Sequence, residues 1–155
     1  MSRVQLALNV DNLDEAITFY SKLFATEPAK VRPGYANFAI AEPPLKLILV
    51  AGGGAGGTLN HLGVEVENTA AVDAAHRRLA DEGLATAPQE SAECCYALQD
   101  KVWVNGPSGE PWEIYTVLAD IDHAGDEGQP ACADDGVCCV GPAAAAEPVA
   151  ASRLV

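Results

Sequence analysis

The chain has 155 residues, enough for one domain with a substantial core. Its 22 acidic residues against 9 basic ones give a formal net charge of −13, which argues against nucleic acid or an anionic membrane as partner, since both need a basic face. No apolar run reaches membrane-spanning length, and Asn9 and Asp11 interrupt the first apolar stretch too early for a secretory leader, so a cytoplasmic location is expected.

Residues 4–10 alternate well enough to read as a strand. Asp11 and Asn12 offer helix-start chemistry. Leu13, Ala16, Ile17, Tyr20, Leu23 and Phe24 then recur at helical spacing, which predicts a helix over 13–24. Three short strands are predicted at about 29–32, 35–40 and 45–50, with Pro33-Gly34 and Pro43-Pro44 at the turns. Residues 51–57 hold five glycines and read as a flexible linker. The pattern then returns. A strand is predicted over 61–66, followed by a helix that Asn68 caps, that runs through Leu79 and that ends near Gly83. Strands follow around 85–89, 101–105 and 112–117, the last two joined by the turn Gly106-Pro107-Ser108-Gly109. A longer loop between Glu90 and Asp100 is expected to hold Cys94 and Cys95. Residues 119–155 shift to Ala, Gly, Pro and acid without apolar periodicity, which reads as a disordered tail.

The return is also visible residue by residue. Gln5-Leu6-Ala7-Leu8-Asn9-Val10-Asp11-Asn12 matches His61-Leu62-Gly63-Val64-Glu65-Val66-Glu67-Asn68 without a gap, and Leu23 and Leu79 keep the same offset. A repeat of this size means one supersecondary unit used twice. The chain therefore divides into a domain over 1–118, built of module one (3–50), a linker (51–58) and module two (59–118), and the tail over 119–155. Each module reads β-α-β-β-β, an α+β architecture. The repeat also places Gln5 and His61 at equivalent points of the two halves, where two potential metal ligands define a site between them. Glu113 is the ionisable residue of the apolar strand Pro111-Trp112-Glu113-Ile114-Tyr115. A carboxylate buried among Trp, Ile and Tyr is costly without a partner, and a metal ion is a suitable one.

Two βαβββ units with a ligand-type residue at the start of each resemble the vicinal oxygen chelate superfamily, whose paired modules form a cleft around a divalent metal. The resemblance covers residues 3–118. It implies ligands from the first and last strand of each module: here Gln5 Oε1, the His61 imidazole and the Glu113 carboxylate. Aligned on Pro44 and Pro111, Lys46 stands where Glu113 stands, and an ammonium is no ligand. Three protein ligands leave open positions, the logic of the facial triad of non-haem Fe(II) sites with one His replaced by an amide oxygen. Fe(II) is the expected cofactor, and manganese, nickel or zinc can fill such a site in a purified sample. Taken singly, each residue has a plainer reading: a polar strand glutamine, a hydrogen-bonded histidine. His76 beside Arg77 and Arg78, and His123 in the tail, read as solvated.

Five cysteines include the adjacent pairs Cys94-Cys95 and Cys138-Cys139. Neighbouring cysteines join only through a strained ring, so free dithiols are expected. Cys94 and Cys95 make a soft chelator suited to As(III), Cd(II) or Hg(II), with Lys101 near enough in sequence to favour thiolates. Their plainer reading is small apolar filler. Cys132, Cys138 and Cys139 either relay a soft metal or are incidental.

Glu93-Cys94-Cys95-Tyr96-Ala97, Gln99-Asp100-Lys101-Val102-Trp103-Val104 and Trp112-Glu113, together with Gln5 and His61, resemble the family of organoarsenical carbon–arsenic lyases and cadmium-induced proteins. The resemblance implies an arsenic-resistance enzyme: Fe(II)- and O2-dependent demethylation of methylarsenite to arsenite, with aromatic trivalent arsenicals also accepted. Cys94 and Cys95 then bind substrate, and Tyr96 and Lys101 are candidate proton donors. The rival readings are a soft-metal (cadmium or arsenic) binding resistance protein without catalysis, or another chemistry on the same fold. Lys46 in place of a fourth carboxylate argues against a glyoxalase-type isomerase, and a dithiol has no role in an extradiol dioxygenase. One chain carries every predicted site residue, so either a monomer or a homodimer is compatible.

Overall fold

A computed structural model describes residues 2–94 and 96–122. Module one runs β1 (Arg3–Val10), α1 (Leu13–Phe24), β2 (Lys30–Arg32), β3 (Tyr35–Ile40) and β4 (Leu45–Ala51). Module two repeats it as β5 (Leu59–Glu65), α2 (Thr69–Asp81), β6 (Thr86–Cys94), β7 (Ala97–Asn105) and β8 (Pro111–Asp120). The helices start where their caps dictate. Asn12 Oδ1 accepts the Glu15 N–H at 3.2 Å and Asn68 Oδ1 accepts the Ala71 N–H at 3.0 Å. Among the described residues no helix is long and apolar enough to cross a membrane.

All eight strands join one mixed, curled sheet in the order β2-β3-β4-β1-β5-β8-β7-β6. Within each module the first and last strands pair in parallel, β1 with β4 and β5 with β8. The modules meet through antiparallel β1 and β5, where Gln5 lies opposite Gly63 and Ala7 opposite His61. That register is symmetric about the 56-residue repeat, which makes Gln5 and His61 true equivalents.

Strand alternation sorts side chains between the two faces of the sheet. One face is apolar: Phe38, Ile40, Leu47 and Leu49 pack with Leu6, Leu8 and Val10 under the Leu13, Ile17, Tyr20 and Phe24 face of α1. The concave face carries the residues between them: Gln5, Tyr35, Asn37, Lys46, Ile48, Gln99 and Glu113 line a cleft of about 240 Å³. Most are buried, Gln5 to 1% and Glu113 to 2% exposure. So many buried polar groups in a small domain are costly, and such a concave face marks a site rather than a core.

Two segments differ from the sequence-based expectation. The glycine linker is tied down. The Gly57 N–H donates to Asn9 O at 2.8 Å, the Asn9 N–H to Thr58 O at 2.9 Å, and the Gly56 N–H to Asp11 Oδ1 at 2.9 Å. A Cβ on Gly56 would meet the Asp11 carboxylate at 2.4 Å, so the glycine there serves close approach. The expected loop over 90–100 is instead mostly hairpin. β6 and β7 pair as far as Cys94 and Ala97, leaving two residues between the strands. Asp100, expected in the loop, is buried and fixes an irregularity at Ser91: its Oδ1 accepts the Ser91 N–H at 2.8 Å and its Oδ2 accepts from Thr69 Oγ1 at 2.5 Å.

Candidate metal centre

Gln5 on β1, His61 on β5 and Glu113 on β8 stand on three adjacent strands, with Gln5 and Glu113 lining the cleft and His61 buried against both. Gly63 makes that proximity possible. It pairs with Gln5 on one side and Glu113 on the other, and a Cβ there would meet Gln5 Nε2 and Glu113 Cγ, each at 3.1 Å. The Gln5 amide terminus lies 3.0 Å from His61 Nε2 and 2.6 Å from Glu113 Oε1, and the last two atoms are 3.3 Å apart. Around an ion with bonds of about 2.1 Å, neighbouring donors at right angles sit about 3 Å apart. The triangle has the size of one face of such a coordination shell.

The chemistry of each corner fits a cation. His61 Nδ1 lies 2.7 Å from Asn60 Oδ1, an acceptor, so Nδ1 carries the proton and the Nε2 lone pair faces the site. Glu113 Oε1 faces the same point. Gln5 now turns its Nε2 inward, donating to Glu113, while its Oε1 accepts from the Tyr115 hydroxyl. A metal needs the amide turned over. Tyr115 suits both poses, because a hydroxyl can donate to the carbonyl oxygen or accept from the amino group and donate to Glu65, 3.4 Å away. Among the described residues no three His, Cys, Asp or Glu side chains cluster into a metal site, so a three-donor set at this point would have to include the Gln5 amide.

Glu113 has a protein partner the sequence reading missed. Lys101 Nζ, 2% exposed, donates to Glu113 Oε2 at 2.9 Å. Burial alone would raise this carboxyl, but the Lys101 ammonium beside it outweighs burial and holds it well below the usual carboxylate range. Lys101 therefore serves the carboxylate rather than the thiols, and it offsets the charge that Glu113 brings. Burial, with the Glu65 and Glu113 charges, pushes the Tyr115 phenol far above its ordinary range, so Tyr115 stays a neutral hydroxyl. Trp103 sets a ring edge on His61, with centroids 5.6 Å apart.

Lys46 also moves from its expected place. Strand β4 sets Lys46 beside Gln5 and Ile48 beside Ala7, while β8 sets Glu113 beside Gly63. Ala7 and Gly63 are repeat equivalents, so the counterpart of Glu113 is Ile48. The proline alignment is off by two residues. The fourth position still offers no ligand, since Ile48 is aliphatic. Lys46 instead lies over the Tyr115 ring at 4.9 Å and 3.9 Å from Glu65, which Arg3 also holds at 2.6 Å.

Cys94 is buried on the inner face with Ala7, Tyr35, Ile48 and Val50, so the hairpin tip of module two reaches module one across the cleft. Tyr96 reinforces that crossing, its ring 5.7 Å from Tyr35 and its backbone carbonyl accepting from Lys30 Nζ at 3.1 Å. Cys94 is in a disulfide, not the free thiol expected. Cys95, His123, Cys132, Cys138 and Cys139 lie outside the described residues. His76 sits half-buried on α2 rather than fully solvated as expected.

Comparison with known proteins agrees with this fold. The family model of the Glyoxalase/Bleomycin resistance protein/Dioxygenase superfamily matches residues 3–114. A trivalent organoarsenical cleaving enzyme of Thermomonospora curvata is 62% identical over 140 residues, 90% of this chain and 89% of that protein. A cadmium-induced protein, CadI, of Mycobacterium bovis is 59% identical over 144 residues, 91% of this chain and 95% of that one. Among solved structures, an extradiol ring-cleaving dioxygenase from B. fuscum superposes with a TM-score of 0.56 at 18% identity, over 77% of this chain and 34% of that one. An Mn(II)-bound glyoxalase from Novosphingobium aromaticivorans gives 0.55 at 17% identity, over 78% of this chain and 42% of that one. These two likenesses establish the fold. The chain belongs to the glyoxalase/bleomycin resistance protein/dioxygenase superfamily and, within it, to the group that holds the trivalent organoarsenical cleaving enzymes and the cadmium-induced proteins.

Proposed function

We propose that the chain is a cytoplasmic Fe(II)- and O2-dependent lyase that cleaves the carbon–arsenic bond of trivalent organoarsenicals, releasing arsenite from methylarsenite. The observation that carries this reading is the convergence of an imidazole nitrogen, one carboxylate oxygen and an amide terminus at buried positions beside the cleft. It occurs in a chain that shares 62% identity with a named trivalent organoarsenical cleaving enzyme.

In this reading Gln5 Oε1, His61 Nε2 and Glu113 Oε1 hold the iron, and the iron supplies the one-electron chemistry that reduction of O2 requires. Lys101 keeps Glu113 ionised and occupies its second oxygen, which limits the carboxylate to one donor atom. Trp103 and Tyr115 fix His61 and Gln5 and keep bulk water from the floor. Once two equivalents of an external thiol have reduced the Cys94 disulfide and left as their own disulfide, Cys94 and Cys95 capture trivalent arsenic, each thiol replacing one hydroxyl and giving it its proton so that water leaves. The clamp supplies orientation and effective concentration. One methylarsenite and one O2 balance to one arsenite and one formaldehyde. Arsenic stays trivalent, and carbon gives up the electrons that O2 takes. All of these residues come from one chain, so a monomer suffices.

The test is anaerobic loading of the reduced protein with Fe(II), then addition of air and methylarsenite, with arsenic speciation over time. Arsenite that forms only with both iron and O2 is the expected result. Methylarsenite bound tightly and returned unchanged would sink the lyase reading in favour of a soft-metal binding protein.

A further inference from the structure

Gln99 is a buried polar group of the cleft that neither the triad nor the cysteines use. It lies on β7 two residues before Lys101, opposite Val117 of β8, and lines the cleft together with Glu113. It is 5% exposed, and its Oε1 finds no hydrogen-bond partner. Buried acceptors in folded proteins are nearly always paired, so an orphan aimed into a cavity is a place where a ligand donor is expected. The neighbouring donors are committed elsewhere. Asn37 Nδ2 donates to the Tyr35 hydroxyl, Lys101 Nζ to Glu113, and Lys30 Nζ to the Tyr96 carbonyl and Asp120. The other such atom among the described residues, Ser21 Oγ, lies on α1 and not in the cleft.

Position adds to this. Two residues along a strand span roughly 7 Å. One such interval takes Gln99 to Lys101, which holds Glu113, and one in the other direction takes it to Ala97, which pairs with Cys94. The free carbonyl thus stands between the carboxylate of the triad and the cysteine of the hairpin tip.

We infer that Gln99 Oε1 is the acceptor that orients the As–OH group of a trivalent arsonous acid as it enters the cleft. The inference rests on the organoarsenical reading above. An arsonous acid carries two hydroxyl donors. The first thiol exchange replaces one hydroxyl, the thiol proton leaving with it as water, and the remaining As–OH still donates to Gln99. The second exchange removes that donor. Gln99 therefore acts on the entering and singly bound arsenical, and it is a positioning residue for capture, not for bond cleavage.

The experiment uses the reduced, Fe(II)-loaded full-length chain without O2 and methylarsonous acid as probe, following arsenic–sulfur absorbance by stopped flow. Gln99→Met, close to Gln99 in volume, is expected to slow capture by about three- to tenfold, the size of one lost hydrogen bond. It is also expected to raise the melting temperature, because it removes an unpaired acceptor. Gln99→Glu, which keeps an acceptor at the same reach, retains the capture rate. Equal capture by wild type and Gln99→Met overturns the role of Gln99 and leaves the organoarsenical reading standing. A lowered melting temperature with unchanged capture makes Gln99 a structural residue and also overturns it. If the wild type itself fails to capture the probe, the organoarsenical reading falls and takes this inference with it.

Discussion

The two modules share a chain path and differ in what they bring to the cleft. At equivalent points module one presents an amide, Gln5, and an aliphatic side chain, Ile48, where module two presents an imidazole, His61, and a carboxylate, Glu113. Module two also extends its second and third strands to 9 residues each, against 3 and 6 in module one, and this longer hairpin carries Cys94, Gln99 and Lys101 over the cleft. Duplication provides two equivalent frames around one axis, and the chemistry arises where their equivalence is broken. The charge, the buried counter-charge and the cysteines all come from one half. The other half closes the donor triangle with a neutral amide and offers the wall, Tyr35 and Ile48, against which the hairpin tip packs.

The largest effect comes from breaking the charged side of that asymmetry. Glu113→Ala leaves the Lys101 ammonium buried without its partner. Removing one member of a buried ion pair costs about 3–5 kcal/mol. Chemical unfolding should register a loss of that size, and Lys101→Met added to Glu113→Ala should recover most of it. A Glu113→Ala chain as stable as the wild type would mean that the Lys101–Glu113 pair is hydrated rather than buried.

Making the halves more alike should have a smaller effect of the opposite sign on metal affinity. Gln5→His places an imidazole at both equivalent points and gives the two-His, one-carboxylate set usual for open Fe(II) sites. Titration calorimetry with Fe(II) or Mn(II) should find binding tightened about tenfold, or ~1.4 kcal/mol. Unchanged affinity would remove residue 5 from the donor set.

Much of this arrangement is legible in the sequence, because the repeat and the helix signals are local. The first helix falls at Leu13–Phe24 as its apolar spacing predicts, and Tyr35–Ile40 is a strand as read. The meeting of Gln5, His61 and Glu113 follows from the repeat and the topology. What escapes is non-local. Strand pairing with β7 turns a polar segment into β6, since Asp100 and a bulge supply hydrogen bonds that no local pattern announces. The partnership of Lys101 with Glu113 depends on Trp103 standing opposite Glu113 across β7 and β8. The glycine run reads as loose because composition cannot register the Asn9 and Asp11 contacts that hold it.

The smallest effect discriminates between two ways of defining equivalence. Turn prolines put Lys46 opposite Glu113 in the repeat, whereas strand register puts Ile48 there. Lys46 leans on Tyr115 and Glu65, outside the donor triangle. Lys46→Met should therefore leave metal affinity within about twofold. Ile48→Gln adds an amide beside Ala7, on the strand next to Gln5, and should change metal affinity measurably. The reverse result, a large loss in Lys46→Met and none in Ile48→Gln, would mean that the lysine belongs to the site. Register is the sounder guide, because hydrogen bonding ties β4 to β1 and β8 to β5 along their lengths, while the prolines lie only at the strand starts, where loops of different length can shift them freely.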